Sequence, residues 1–409
     1  MFDDHGLLDY DDEDVTEPLK DLLKSDSFRD FQLKTELLQA ITDAGYEYPS
    51  EVQKQAIPSA ILGRDILCQG ASGTGKTAVY VLATLQQLQP IDGQVSVLVV
   101  CPTNELAFQI TSAYERFSKH LPNIKVSTFV GGTSTAENRY ILRNKCPHVV
   151  IGTPGRLLAL AKMRALRLDF IQYFIIDECD QIFKMHDTRR DVRKIFNMTS
   201  MNNQVLMLSA TINEFIQPIC KEFMRKPIEL YIHDESKLMP RLLQHFYVNS
   251  RERKKSTKLA KLLDKLEFDE AIIFVDSTAR CSYLCKFLVD QCFPTKQIHN
   301  DLPRSDRLIV YEDLKAFRTR LVVATNVFER GIDLERVNLI INYDVPEDID
   351  SYLHRAARAS RFGTKGVILT IISSQDEADI LNKVQERFKI HIRSALVESR
   401  NDVHSRFIV

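Results

Sequence analysis

The sequence predicts an α/β protein of two tandem domains, each a mainly parallel sheet flanked by helices, joined by a short linker. Three observations predict it. Short apolar, β-branched runs alternate with helix-length segments, the pattern of strands covered by helices on both faces. One series of such runs occupies 65–68, 95–101, 148–151, 174–176 and 205–208; a second occupies 271–275, 321–324, 339–343 and 367–372. Between the series lies the polar stretch His233-Asp234-Glu235-Ser236-Lys237, then Pro240, which reads as a boundary.

The division expected from this is an acidic disordered tail over 1–27, a first domain over 28–232, a linker over 233–241 and a second domain over 242–409. With domains usually running to about 150 residues, a chain of 409 favours two. From Asp3 to Asp14 carboxylates crowd around Leu7, Leu8 and Tyr10, too charged to build a core. In the second half Leu259, Leu262, Leu263 and Leu266 recur at helical spacing and are read as core.

Hydrophobic residues at 44% and charged residues at 27% are ordinary for a globular chain. A net charge of -1 excludes a strong overall field for polyanions, so a nucleic acid would need a local groove of backbone amides and a few arginines. The eight cysteines contain no CxxC pair and read as reduced, buried thiols of an intracellular protein. Cys281 and Cys285 stand one helical turn apart, where packing is expected rather than zinc. No basic, apolar leader opens the chain and no run is long enough to cross a bilayer, so neither secretion nor a membrane is expected.

After the run 65–68 comes Gly70-Ala71-Ser72-Gly73-Thr74-Gly75-Lys76-Thr77, which matches GxxxxGK[ST] and opens a helix-compatible stretch. Glycines let successive N–H groups face one centre, and a helix N-terminus adds positive potential for phosphate oxygens. Lys76 would supply charge at the outer phosphates and Thr77 a hydroxyl for Mg2+. The run 174–176 ends in Asp177-Glu178, the first placed to bind the metal and the second to orient and deprotonate a water. In the second half His354, Arg358 and Arg361 fall at i, i+4 and i+7, so one helix face is expected to carry all three, the arginines as fingers on a γ-phosphate. Small neighbours, Ala356, Ala357 and Ala359, would permit close approach of another surface.

Taken in order, these segments resemble the DEAD-box RNA helicase family from Phe28 to about Phe388. The resemblance implies two RecA-like domains, ATP and Mg2+ as cofactors and single-stranded RNA as partner. It implies that Gln53, within the segment 45–53, reads the adenine edge while Phe28 stacks on the ring, and that Asp333, in Arg330-Gly331-Ile332-Asp333, contacts the nucleotide from the second domain. Ser209 and Thr211, in Ser209-Ala210-Thr211, resemble the segment linking hydrolysis to closure, with Asp180 and His354 meeting across the cleft. For RNA it points to Pro102, Thr103, Gly131, Gly132, Thr153, Pro154, Gly155, Arg156 and Thr325, contacts to the sugar-phosphate track that carry no base preference.

Asp177-Glu178-Cys179-Asp180 carries Cys where most of the family has Ala. Together with Asn326 and the acidic start, this is similar to the subgroup associated with mRNA splicing and nuclear export. The subgroup implies mRNA as the RNA, TREX-type export and spliceosomal proteins as partners, and the nucleus, with some presence in the cytoplasm, as location. Asn104 stands where the family has Arg, Ser360 where it has Gly, and Arg304 where Gln is common. An ATP-gated RNA clamp with little unwinding fits the same residues; a helicase of translation initiation is an alternative that Cys179 and the acidic start disfavour, and a DNA-directed motor is excluded by the family resemblance alone.

Overall fold

A computed structural model of the chain describes residues 27–71, 73–231, 239, 242–328, 334, 336–359 and 365–395. Nearly all of the expected acidic tail and of the expected linker lie outside these residues. The first half forms strands β1 (Ile66–Gln69), β2 (Val97–Val100), β3 (Val126–Phe129), β4 (Val149–Gly152), β5 (Tyr173–Asp177), β6 (Gln204–Ser209) and β7 (Ile228–Leu230). They make one parallel sheet in the order β3-β4-β2-β5-β6-β1-β7.

The second half forms β8 (Leu243–Asn249), β9 (Glu270–Phe274), β10 (Lys296–Ile298), β11 (Leu321–Ala324), β12 (Val337–Asn342), β13 (Gly366–Ile372) and β14 (Ile392–Ser394). Their order is β10-β11-β9-β12-β13-β8-β14, again all parallel. Subtracting seven from each label reproduces the first order, so the two halves are tandem RecA-like domains of one topology.

The inner strands are apolar at every position because both faces are covered. Val97 and Val99 point into one core cluster, whereas Leu98 and Val100 point into another on the opposite face. In the second sheet Ile272 and Phe274 part from Ala271 and Ile273 in the same way. A parallel sheet buried on both faces is expected to give such continuous runs rather than alternation. The leucines at 259, 262, 263 and 266 are buried, the last just beyond the helix Lys255–Leu263. No described helix is long and apolar enough to cross a membrane.

Cys281 packs with its thiol against the Val323 carbonyl at 3.2 Å, and neither it nor Cys285 joins a cluster of metal-ligating groups. The expectation of buried thiols holds for Cys68, Cys101, Cys179, Cys220 and Cys281 and needs correction for the other three. Cys292 is exposed, at a turn just after the helix Thr278–Asp290, and Cys146 and Cys285 are half-buried.

Gly152, the last residue of β4, shows how tightly strand ends are fitted. A Cβ there would stand 2.2 Å from the Phe129 carbonyl oxygen of neighbouring β3, a backbone atom that no rotamer change can move. Gly152→Ala is therefore expected to lower stability by about 1–3 kcal/mol, read as a fall in the urea midpoint.

Candidate active site

Every candidate segment of the first half lies at the carboxyl edge of its sheet, where open α/β sheets bind ligands. The glycine-rich loop follows β1, Asp177 ends β5 and Ser209 ends β6, and these three strands are neighbours. Pro102 and Thr103 follow β2, Gly131 and Gly132 follow β3, and the segment Thr153 to Arg156 follows β4, another set of neighbours. One edge is thus divided into two adjoining surfaces.

In the loop, Gly73 and Gly75 adopt φ of +81° and +77°, and Gly75 precedes the helix Lys76–Gln87. A side chain at Gly75 would be strained by that φ and would push aside the Gln53 amide, whose Nε2 stands 2.2 Å from the Cβ position. Gln53 Nε2 donates to the Gly75 carbonyl at 3.1 Å and Oε1 accepts from the Ser50 N–H at 2.9 Å. The Ser50 hydroxyl donates to the Thr74 carbonyl at 2.6 Å. Gln53 therefore braces the loop itself, a contact that the sequence does not announce.

Lys76 curls over the loop, donating to the carbonyls of Gly70 at 2.7 Å and Ala71 at 3.1 Å. Thr77 is half-buried, and Ser72 lies outside the described residues. Phe28 is buried, edge-on to Phe31 and Tyr46. The curled loop at a helix N-terminus, with an ammonium beside it, fits an anionic phosphate chain.

Facing it are two consecutive buried carboxylates. Asp177 Oδ2 accepts from the Tyr80 hydroxyl at 2.8 Å and Oδ1 from the Glu178 N–H at 2.9 Å. Burial, and then the charge of Glu178, push the Asp177 carboxyl up to about 6. Glu178 holds a left-handed φ of +51° as it starts the helix Cys179–Lys184, and its buried Oε2 makes no hydrogen bond among the described residues. Strain of this kind in a non-glycine residue collects at functional sites. Two desolvated carboxylates side by side fit a divalent cation such as Mg2+, with Asp177 as its oxygen donor. Tyr80 is a participant that sequence reading missed.

The two halves meet beside this pair. Asp180 accepts from Ser209 Oγ at 2.6 Å and Thr211 Oγ1 at 2.8 Å, and its Oδ2 stands 3.7 Å from Nε2 of His354 in the second half. Ala71 of the loop packs against the apolar cluster of the second half. Farther out, Glu105 pairs with Arg307 at 3.3 Å, Gln109 donates to the Tyr311 hydroxyl at 3.2 Å and Lys184 pairs with Asp348 at 2.5 Å. Each of these pairs joins residues more than 160 positions apart, so no local pattern signals them.

The expectation of one helix face for His354, Arg358 and Arg361 is corrected. The helix Ile349–Ala356 carries His354 but ends before Arg358. Ala357 opens ψ to 0°, and the next two amides bond carbonyls three residues back, Arg358 to Arg355 at 3.0 Å and Ala359 to Ala356 at 3.2 Å. The tightened turn leaves Arg358 buried, with Nε donating to the His354 carbonyl at 3.2 Å. Arg361, Asp333 and the rest of 330–333 lie outside the described residues. Arg355, fully buried, donates to Asn326 Oδ1 at 2.8 Å and to the Asp344 carbonyl at 2.9 Å, tying the Thr325-Asn326 segment to this helix.

On the adjoining surface, Thr103 caps the helix Asn104–Phe117 by accepting from the Leu106 N–H at 3.2 Å, and Pro154 opens the helix Pro154–Lys162. Gly131, Gly132 and Gly155 are exposed. Two helix starts and exposed glycine amides suit a phosphate backbone. Arg156 braces the glycine segment, donating to Thr135 Oγ1 at 2.8 Å and the Thr133 carbonyl at 2.9 Å. Asn104 Nδ2 reaches the Gly131 carbonyl at 3.4 Å. Thr325, after β11 of the second half, is half-buried.

Residues 50–219 match the family model described as DEAD/DEAH box helicase, and residues 254–363 that of the helicase conserved C-terminal domain. The chain is similar to the human ATP-dependent RNA helicase DDX39A, 50% identical over 404 residues, 95% of either chain. It is equally similar to the ATP-dependent RNA helicase WM6 of Drosophila melanogaster, 50% identical over 408 residues and 96% of either chain. Among solved structures it resembles S. cerevisiae Dbp5 bound to RNA and ADP BeF3, with a TM-score of 0.86, 26% identity, and coverage of 93% of this chain and 98% of that one.

The displaced Asp177 carboxyl sets a pH-dependent stability. Its folded value, about 6, stands above the ordinary 3.8, so ionisation costs the folded state; that cost is absent below about pH 4 and complete above about pH 6. Asp177→Asn in the nucleotide-free protein is expected to be more stable than wild type at pH 7 by about 1–3 kcal/mol, and equal to it near pH 4. Urea titrations at both pH values check this, and equal midpoints at pH 7 would contradict it.

Proposed function

The chain belongs to the DEAD/DEAH box helicase family, and from that premise we propose that it is an ATP-dependent RNA helicase whose domains, over 28–232 and 242–409, close together on ATP and one RNA strand. The observation that carries this reading is the junction at Asp180, where the first half binds Ser209 and Thr211 and presents the same carboxylate to His354 of the second.

In this reading the amides of Gly70 to Gly75, with Ser72 among them, and the Lys76 ammonium bind the phosphates of ATP, while Phe28 and Gln53 take its base and Asp333 its sugar. Thr77 and Asp177 would hold Mg2+, which when bound neutralises charge on the phosphate oxygens. Glu178 orients the attacking water and accepts its proton. Arg358 and Arg361 come from the second half and offset charge on the transferred group, so hydrolysis waits for closure. Asp180, Ser209, Thr211 and His354 report that closure to the carboxylates beside them.

RNA lies along Pro102, Thr103, Gly131, Gly132, Thr153, Pro154, Gly155, Arg156 and Thr325, held by its backbone without regard to sequence. Because ATP and RNA both favour the closed arrangement, each raises the affinity of the other by one factor. A duplex does not fit the single-strand track, so a few base pairs separate locally, and hydrolysis reopens the cleft. Similarity to DDX39A and WM6 over nearly the whole chain, with Cys179 in place of the usual Ala, supports work on mRNA in splicing and nuclear export, in the nucleus, alongside TREX-type export and spliceosomal proteins.

A second reading, an RNA clamp with little unwinding, draws support from the pairs Glu105–Arg307, Gln109–Tyr311 and Lys184–Asp348, which hold the halves together outside the site. ATP hydrolysis with and without single-stranded RNA, run beside duplex unwinding, separates the two. Unwinding that accompanies RNA-stimulated turnover is the expected result, and turnover without strand separation makes the clamp correct. Glu178→Gln is expected to bind ATP, to lose hydrolysis by at least about 10²-fold, and to keep RNA bound far longer than wild type. Normal turnover in that variant removes Glu178 from the role of base.

A further inference from the structure

We propose that Lys184 is a positioning residue for hydrolysis: its ion pair with Asp348 sets how the helix Ile349–Ala356, and with it the turn bearing Arg358, lies over the acidic corner of the first half. The inference rests on the closing of the halves proposed above, and it gives one of the pairs outside the site a part in the reaction itself.

Lys184 ends the helix Cys179–Lys184, which starts directly after Glu178. Its ammonium donates to Asp348 Oδ2 at 2.5 Å. The other oxygen of that carboxylate caps the helix Ile349–Ala356, Oδ1 accepting from the Ser351 N–H at 2.7 Å. One carboxylate thus starts the helix that carries His354 and also grips the first half. Burial alone would raise the Asp348 carboxyl, but the Lys184 ammonium and the Ser351 amide bring it down to about 2, so it is charged throughout the neutral range.

A single contact leaves two packed helices free to swivel about it. Here there are two, Asp180 with His354 and Lys184 with Asp348. At about 1.5 Å of rise per residue they stand about 6 Å apart along the first helix and about 9 Å apart along the second, enough to fix how the helices cross. Arg358 follows that second helix, its Nε bonded to the His354 carbonyl, so its guanidinium moves with it. The phosphate-binding loop lies wholly in the first half and is left in place by such a swivel. Among the described residues that line the cavity of about 530 Å3 between the halves, Lys184 is the one cation from the first half. The second half brings Glu347, Asp348 and Asp350 together with Lys383 and Arg387, and Arg387 pairs with Asp350 inside its own half at 2.6 Å. Lys184 is exposed and Asp348 partly so, which limits the pair to an effect of up to about fivefold.

The test is hydrolysis of ATP in a single turnover by the full chain at saturating single-stranded RNA. Lys184→Met keeps much of the stem and removes the charge; it is expected to slow hydrolysis about two- to fivefold, with the half-saturating ATP concentration and the urea midpoint close to wild type. Lys184→Arg is expected to keep the rate. Asp348→Asn still caps its helix but carries no charge; it is expected to match Lys184→Met, and the double variant to be no slower than either. A wild-type rate in Lys184→Met, a loss confined to ATP affinity or to stability, or effects that multiply in the double variant each overturn the positioning role and leave the helicase reading standing. A wild-type chain whose hydrolysis RNA does not accelerate overturns the closure reading, and the positioning role with it.

Discussion

The carboxylate of Asp180 is the contact on which the arrangement depends. It is buried, and a buried carboxylate is tolerated only when its lone pairs are satisfied. Two hydroxyls at the end of β6 and just beyond it bind it from within the first half, and an imidazole from the second half stands beside it. The segment after β5, the segment after β6 and the helix Ile349–Ala356 must therefore agree in position at one point. Because Asp180 is only two residues from Glu178 and three from Asp177, any change in how the halves meet is felt at once by the acidic pair.

That pair is itself held under tension. Two carboxylates share a desolvated corner, one with a left-handed backbone, and the Lys76 ammonium folds onto loop carbonyls on the opposite side. Positive and negative groups are thus fixed before a ligand arrives and need little reorganisation when it does. The same geometry explains why Tyr80 matters. Among the described residues its hydroxyl is the only side-chain donor to Asp177, and it fixes one oxygen of that carboxylate.

What could be read from the sequence follows from which signals are local. The glycine-rich loop is one contiguous phrase, and the inner strands are apolar at every position because both faces are covered, so both were legible. Edge strands were not: Val126–Phe129, Lys296–Ile298 and Ile392–Ser394 are short, partly exposed and mixed with polar residues. Leu243–Asn249, although inside its sheet, has the polar pair Gln244-His245 near its start and ends on Asn249, which left no long apolar run. Within the site, the spacing of His354 and Arg358 suggested a continuous helix, because periodicity cannot register the tightened turn at Ala357. Tyr80 and Asp177 are joined only by the strand order, and Glu105 and Arg307 only by the packing of one half against the other.

The repeated strand order has a consequence for biogenesis. All strands of the first sheet fall within 66–230 and all those of the second within 243–394, so neither lobe borrows a strand from the other. Each lobe still needs every pairing to span a crossover, which makes its assembly slow. During synthesis the leading lobe can finish its own sheet while the trailing one is still being made, as domains generally do. The nascent chain thus exposes the unpaired edges of one lobe at a time.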